Sequence, residues 1–139
     1  MKKTRIWILL SAIGLIVLSV LCYRWFTVII NSDFAKEVLL EYHYGDKNIS
    51  IMITDENDIL ILKEVLKGRP FKDSPACGFT IDISITMTDG SKSLIFCPAN
   101  DGCPLLQIDD SSRYIKVSDE ARTRLDDVLE KYGMAFPCI

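Results

Sequence analysis

The sequence predicts an N-terminal transmembrane helix followed by one small α+β domain, an antiparallel sheet with two helices on one face. Three observations predict it. Residues 6–23 are apolar and uncharged, two pairs of segments alternate apolar with polar residues across Gly- and Asp-containing turns, and two amphipathic stretches carry helix caps. The element order read from these is β-β-α-β-β-β-α after the membrane segment.

The chain begins with a basic tail, residues 1–5, and 6–30 reads as a membrane anchor with its interfacial segment. The 18 residues of 6–23 meet the lower bound for a spanning helix, about 17–25 residues. Arg24 and Trp25 supply the cation and the ring favoured at an interface. No small-x-small cleavage site is present, and bulky Leu21 stands before Cys22, where a lipidated cysteine calls for a small residue. An uncleaved, single-pass anchor in the cell membrane is expected. Lys2, Lys3 and Arg5 keep the N-terminus cytoplasmic, so residues 32–139 should form an extracytoplasmic domain. All 19 acidic residues and 12 of the 16 basic ones lie there, a net charge of −7. Such a surface argues against nucleic acid as a partner.

In the outer domain, Val38, Leu40, Tyr42 and Tyr44 alternate with Leu39, Glu41 and His43, and Ile49, Ile51 and Ile53 alternate with Ser50, Met52 and Thr54. A four-residue turn at 45–48 would pair Tyr42 with Ile51 and Leu40 with Ile53. Asp55 or Thr54 caps a helix with Ile59, Leu62 and Leu66 on its buried face, widened by Leu60, Ile61 and Val65, and Gly68 stops it. After a loop at 71–76, strict alternation over 79–88 predicts a ten-residue strand. Asp89-Gly90 suits a two-residue turn, which would place Ile85 opposite Leu94 and Ile83 opposite Phe96. Residues 98–112 read as a long polar loop and 114–117 as a short strand. Ser118 caps the last helix, whose stripe is Ala121, Leu125, Val128, Leu129 and Tyr132, ended by Gly133.

Four cysteines lie outside the membrane segment: Cys77, Cys97, Cys103 and Cys138. The central hairpin brings the first three to one end. If the 114–117 strand paired beside the Leu94 strand, the last helix would return Cys138 to that same end. Two disulfides are the default in an oxidising compartment, with Cys97 or Cys77 joined to Cys103 and the remaining cysteine to Cys138. The alternatives are a thiol redox centre or a metal site built from the four, but no C-x-x-C occurs.

Little else points to chemistry. His43 is the lone histidine, no Gly-x-Ser-x-Gly elbow or Gly-rich phosphate loop is present, and Asp101, Asp109 and Asp110 lack calcium-loop spacing. The expectation is a non-catalytic binding, sensing or accessory module of the cell envelope, without a cofactor. Its partners would be the membrane through 6–23 and an extracytoplasmic protein or peptide. The candidate binding surface is the 97–112 loop with 71–78, in particular Asn100, Asp101, Asp109, Asp110 and Phe71. A further alternative is a structural subunit that assembles through its transmembrane helix.

Overall fold

The computed structural model describes residues 12–23, 29–73, 75–80 and 82–134. The basic tail, Arg24, Trp25 and Cys138 lie outside them. Residues 12–23 are helical (α1), and every side chain of that stretch is exposed, Leu15, Ile16 and Leu18 included. Among the described residues no helix is long and apolar enough to cross a membrane.

The domain is α+β, built on one seven-stranded sheet in the order β2-β1-β4-β5-β6-β7-β3, with every pair antiparallel. The strands are β1 (Glu37–Tyr44), β2 (Lys47–Ile53), β3 (Phe71–Lys72), β4 (Ile83–Thr88), β5 (Ser93–Pro98), β6 (Leu105–Ile108) and β7 (Arg113–Lys116). Helix α2 spans Glu56–Val65 and α3 Asp119–Lys131. Alternation along β1, β4 and β5 sends Val38, Leu40, Tyr42, Ile83, Ile85, Met87 and Phe96 to one side. There they share a single core with Ile59, Leu62 and Val65 of α2 and Leu125, Val128 and Leu129 of α3. Each fully buried leucine or isoleucine there contributes about 1.5–3 kcal/mol by leaving water.

Both helices start where their caps dictate. Asp55 accepts from the backbone N–H of Asn57 and Asp58, both at 3.0 Å, and Ser118 Oγ accepts from Ala121 N at 3.1 Å. Gly133 ends α3 with φ +83°, the left-handed conformation that glycine adopts without strain. Gly68 acts differently from a cap. It exchanges two backbone hydrogen bonds with Ile30 and lies so close to Ile115 that an added Cβ would sit 3.2 Å from that side chain. Leu60, expected on the buried face of α2, is 55% exposed, and Asp58 is buried instead. Asp58 joins the helices, accepting from Lys131 Nζ and Tyr132 Oη, each at 2.6 Å. Burial pushes its carboxyl up, but the bonds from Lys131 and Tyr132 outweigh that and hold it below the usual carboxylate range.

The hairpin registers differ from those expected by two residues, in opposite directions. The β1–β2 turn is the two residues Gly45 and Asp46, pairing Tyr42 with Ile49 and Leu40 with Ile51. Gly45 takes φ +60° at the first central position. The β4–β5 loop has four residues, 89–92, pairing Ile85 with Phe96 and Met87 with Leu94. Asp89 builds that loop, its carboxylate accepting from Ser91 N at 2.9 Å and Lys92 N at 2.8 Å. The N–H groups of Lys92 and Ser91 hold its pKa down to about 2.

Three further expectations are corrected. The strand expected over 79–88 begins at Ile83, because Thr80 and Asp82 bond each other and turn the chain. The 98–112 stretch is not one loop but contains β6, and 71–76 contains the short edge strand β3. Because β6 stands between β5 and β7, the premise that β7 neighbours β5 fails. Strand β7 instead runs toward the cysteine end, where Val117 N donates to Pro104 O at 3.0 Å. Helix α3 starts there and crosses the sheet to the β2 edge, where Gly133 O accepts from Lys47 Nζ at 3.1 Å.

Candidate functional site

The cysteine end is assembled from two loops, 75–80 and 99–104, lying beside the last turn of β5. Cys77 and Cys103 form a disulfide with Cα atoms 6.1 Å apart, closing a separation of 26 residues. Backbone bonds reinforce it, with Asn100 N donating to Gly78 O at 2.9 Å. Asp101 bridges the loops, one carboxylate oxygen accepting from Gly78 N at 2.9 Å and the other from Cys103 N at 3.1 Å. Those N–H groups, Gly78 first, hold its pKa below the usual range. Gly78 lets the Asn100 side chain lie directly against the backbone here, since a Cβ would overlap Asn100 Oδ1.

Arg122 supports the site from α3. It is buried, and its guanidinium donates to the carbonyl oxygens of Cys103 at 2.8 Å and Ala99 at 3.1 Å while pairing with Asp126 at 2.9 Å. Burial raises the Asp126 pKa despite this ion pair. On the sheet face away from the core, the 75–80 loop lays Phe79 against Tyr114, ring centroids 5.2 Å apart, and Phe71 of β3 approaches the same ring at 6.1 Å. Tyr114 is thereby only 8% exposed. Phe79, expected to continue the core row of its strand, thus packs on the opposite face.

The structure divides the residues predicted from sequence. Cys77, Cys103, Asn100 and Asp101 meet at the stapled end. Cys97 carries a free, buried thiol, pushed up to about 11 by burial and then by the charges of Asp110 and Asp109. Cys97, expected to share one of two disulfides, therefore forms none, and Cys138 lies outside the described residues. Asp109 and Asp110 sit in the β6–β7 turn, the length of β6 away, which is roughly 13 Å for four residues. Both adopt left-handed φ, +51° and +45°, and Asp109 is engaged with Ile95 N at 3.1 Å and Arg113 at 3.1 Å. Phe71 is 36% exposed at the sheet edge.

Sequence reasoning missed Arg122 and Tyr114 as parts of this site; Gly78 lay at the end of the expected 71–78 segment, without its contact to Asn100. A signal for Arg122 existed in its spacing: it stands three residues before Leu125 and seven before Leu129, on the buried stripe. The sulfurs of Cys77 and Cys103 and a carboxylate oxygen of Asp101 lie within 4.8 Å of one another, a set of donors that could hold an ion. In the disulfide form the sulfurs are bonded to each other, and only the carboxylate remains as a hard donor. His43 is exposed, its Nδ1 2.6 Å from Asn48 Oδ1, with no nucleophile in that contact. Compared with known protein families, curated proteins and solved structures, the chain matches none.

Proposed function

We propose that this chain is a single-pass, membrane-anchored extracytoplasmic module that binds a protein or peptide at its disulfide-stapled end and catalyses no reaction. The observation that carries this reading is the construction of that end. Two loops without regular secondary structure are held by a disulfide, by the Asp101 bridge and by Arg122 from beneath, while Ala76, Asp101 and Gly102 stay exposed. Loops fixed so firmly on a rigid scaffold suit recognition, because little conformational entropy is lost when a partner binds. The anchor reading is supported by the uncharged 6–23 run behind Lys2, Lys3 and Arg5, and by α1, which presents apolar side chains on all sides and buries none of them in the domain.

The test places a photo-crosslinking residue at Ala76 in the full chain, expressed in its own membrane, with the same probe at exposed Asn57 as control. A discrete adduct at Ala76, absent from the Asn57 probe and weakened at least tenfold when Cys77 and Cys103 are both changed to alanine, supports the reading. Equal adducts at both positions, or none at Ala76, sink it.

A further inference from the structure

The two edges of the sheet are unlike. On one side β3 is two residues long, whereas β2 on the other runs for seven. Edge strands present unpaired backbone groups, and proteins commonly blunt them with proline, bulges or charge. Strand β2 contains no proline, and its single charged residue, Lys47, is drawn aside to Gly133 O at 3.1 Å.

Which groups face outward follows from the register. His43 N donates to Asp82 O at 2.7 Å, so the odd-numbered residues of β1 bond toward β4 and the even-numbered ones toward β2. Tyr42 pairs with Ile49 and Leu40 with Ile51. The backbone N–H and C=O groups of Asn48, Ser50 and Met52 therefore point to the open edge, and among the described residues no backbone group bonds them from outside.

We propose that β2 is a dimerisation edge, at which a second copy of this chain pairs antiparallel through its own β2 about a two-fold axis at Ser50. The strand is self-complementary in that register. Ser50 meets Ser50, Asn48 meets Met52, and all three are the outward-bonding residues, so about six backbone hydrogen bonds form. Between them Ile49 meets Ile51, residues left half-buried at the rim of the core, and these pairs continue the apolar layer across the junction. Met52, now 46% exposed, is covered in part. A second copy fits better than an unrelated strand because the symmetric pairing satisfies both open edges at once and closes. The proposal uses neither the stapled end nor the anchor.

The experiment is sedimentation equilibrium on the full chain in detergent micelles, for the wild type, Ser50→Pro and Met52→Lys. Proline at 50 removes an outward N–H and no bond to β1, and lysine at 52 puts charge on the seam. The wild type should dimerise, and each variant should weaken dimerisation at least tenfold with an unchanged circular dichroism spectrum. If Ser50→Pro perturbs the spectrum, Met52→Lys decides. A wild type still monomeric at about 100 µM overturns the proposal. So does a dimer that both changes leave intact, as one formed through residues 12–23 would be.

Discussion

The guanidinium of Arg122 donates to the carbonyl oxygen of Cys103 at 2.8 Å, tying the last helix to the half-cystine of the staple. The same side chain reaches Ala99 O and Asp126, so a buried charge is neutralised and two loop carbonyls are satisfied by one fork. Replacing it with alanine strands Asp126, which burial already pushes toward protonation. We expect Arg122→Ala to destabilise the domain by about 3 kcal/mol, and Arg122→Lys by about half that because an ammonium cannot span the acceptors. Urea unfolding followed by circular dichroism measures both. A loss under about 0.5 kcal/mol for the alanine variant would show that the guanidinium is not structural.

Removing the staple separates a structural role from a redox one. Closing 26 residues is worth about 3.5 kcal/mol if chain entropy dominates. Cys77→Ala/Cys103→Ala should therefore lower the urea midpoint markedly, by an amount that reduction of the wild type reproduces. A double variant as stable as the wild type would move the pair from scaffold to chemistry.

Gly78 and Asn100 should be coupled. Alanine at 78 places a Cβ onto Asn100 Oδ1, so either the Asn100 side chain turns out of its place or the loop shifts and strains the bonds from Gly78 N to Asp101 and from Asn100 N to Gly78 O. We expect Gly78→Ala to cost about 2 kcal/mol and Gly78→Ala/Asn100→Ala to recover more than half of it. Strictly additive losses would mean the two residues do not meet in solution.

How much of this was legible in sequence depends on whether the answer lies in periodicity or in local polar bonding. The faces of β1, β2, β4 and β5 follow from alternation alone. The turn lengths do not, because shifting a register by two returns every side chain to the same face. Asp89 chose the longer loop by collecting Ser91 N and Lys92 N, and Gly45 the shorter one. Strand β6 escaped notice because Leu105–Ile108 is four residues long between polar loops, and its insertion reversed the direction of β7. Phe79 was misleading for the opposite reason: alternation ran on through Thr80, while a Thr80–Asp82 hydrogen bond had already turned the chain. The meeting of Cys77 and Cys103 was legible because a hairpin returns its ends together. Arg122 was legible only as a charge on the buried stripe of α3, because its acceptors at 99 and 103 are placed by the fold and not by helical spacing.

Cys97 offers the last test, through pH. Its thiol is buried in β5 beside Phe96, on the face away from the core, and burial raises its pKa from about 9 to about 11. A folded pKa above the unfolded one means the folded state favours the neutral thiol, so this contribution is whole below pH 9 and is lost as pH rises toward 11. Over that window the domain should lose on the order of 2 kcal/mol from this group. Tyr132, pushed up to about 12 by burial and by Asp58, adds an alkaline loss of its own. Cys97→Ala should therefore flatten the alkaline limb only in part. The same burial predicts that iodoacetamide at pH 8 leaves Cys97 unmodified in the native chain and labels it after urea, with peptide mass spectrometry as the readout. Rapid native labelling would mean that the thiol is reached by solvent and is reactive in the folded chain. The stapled end would then have to be read as a redox site.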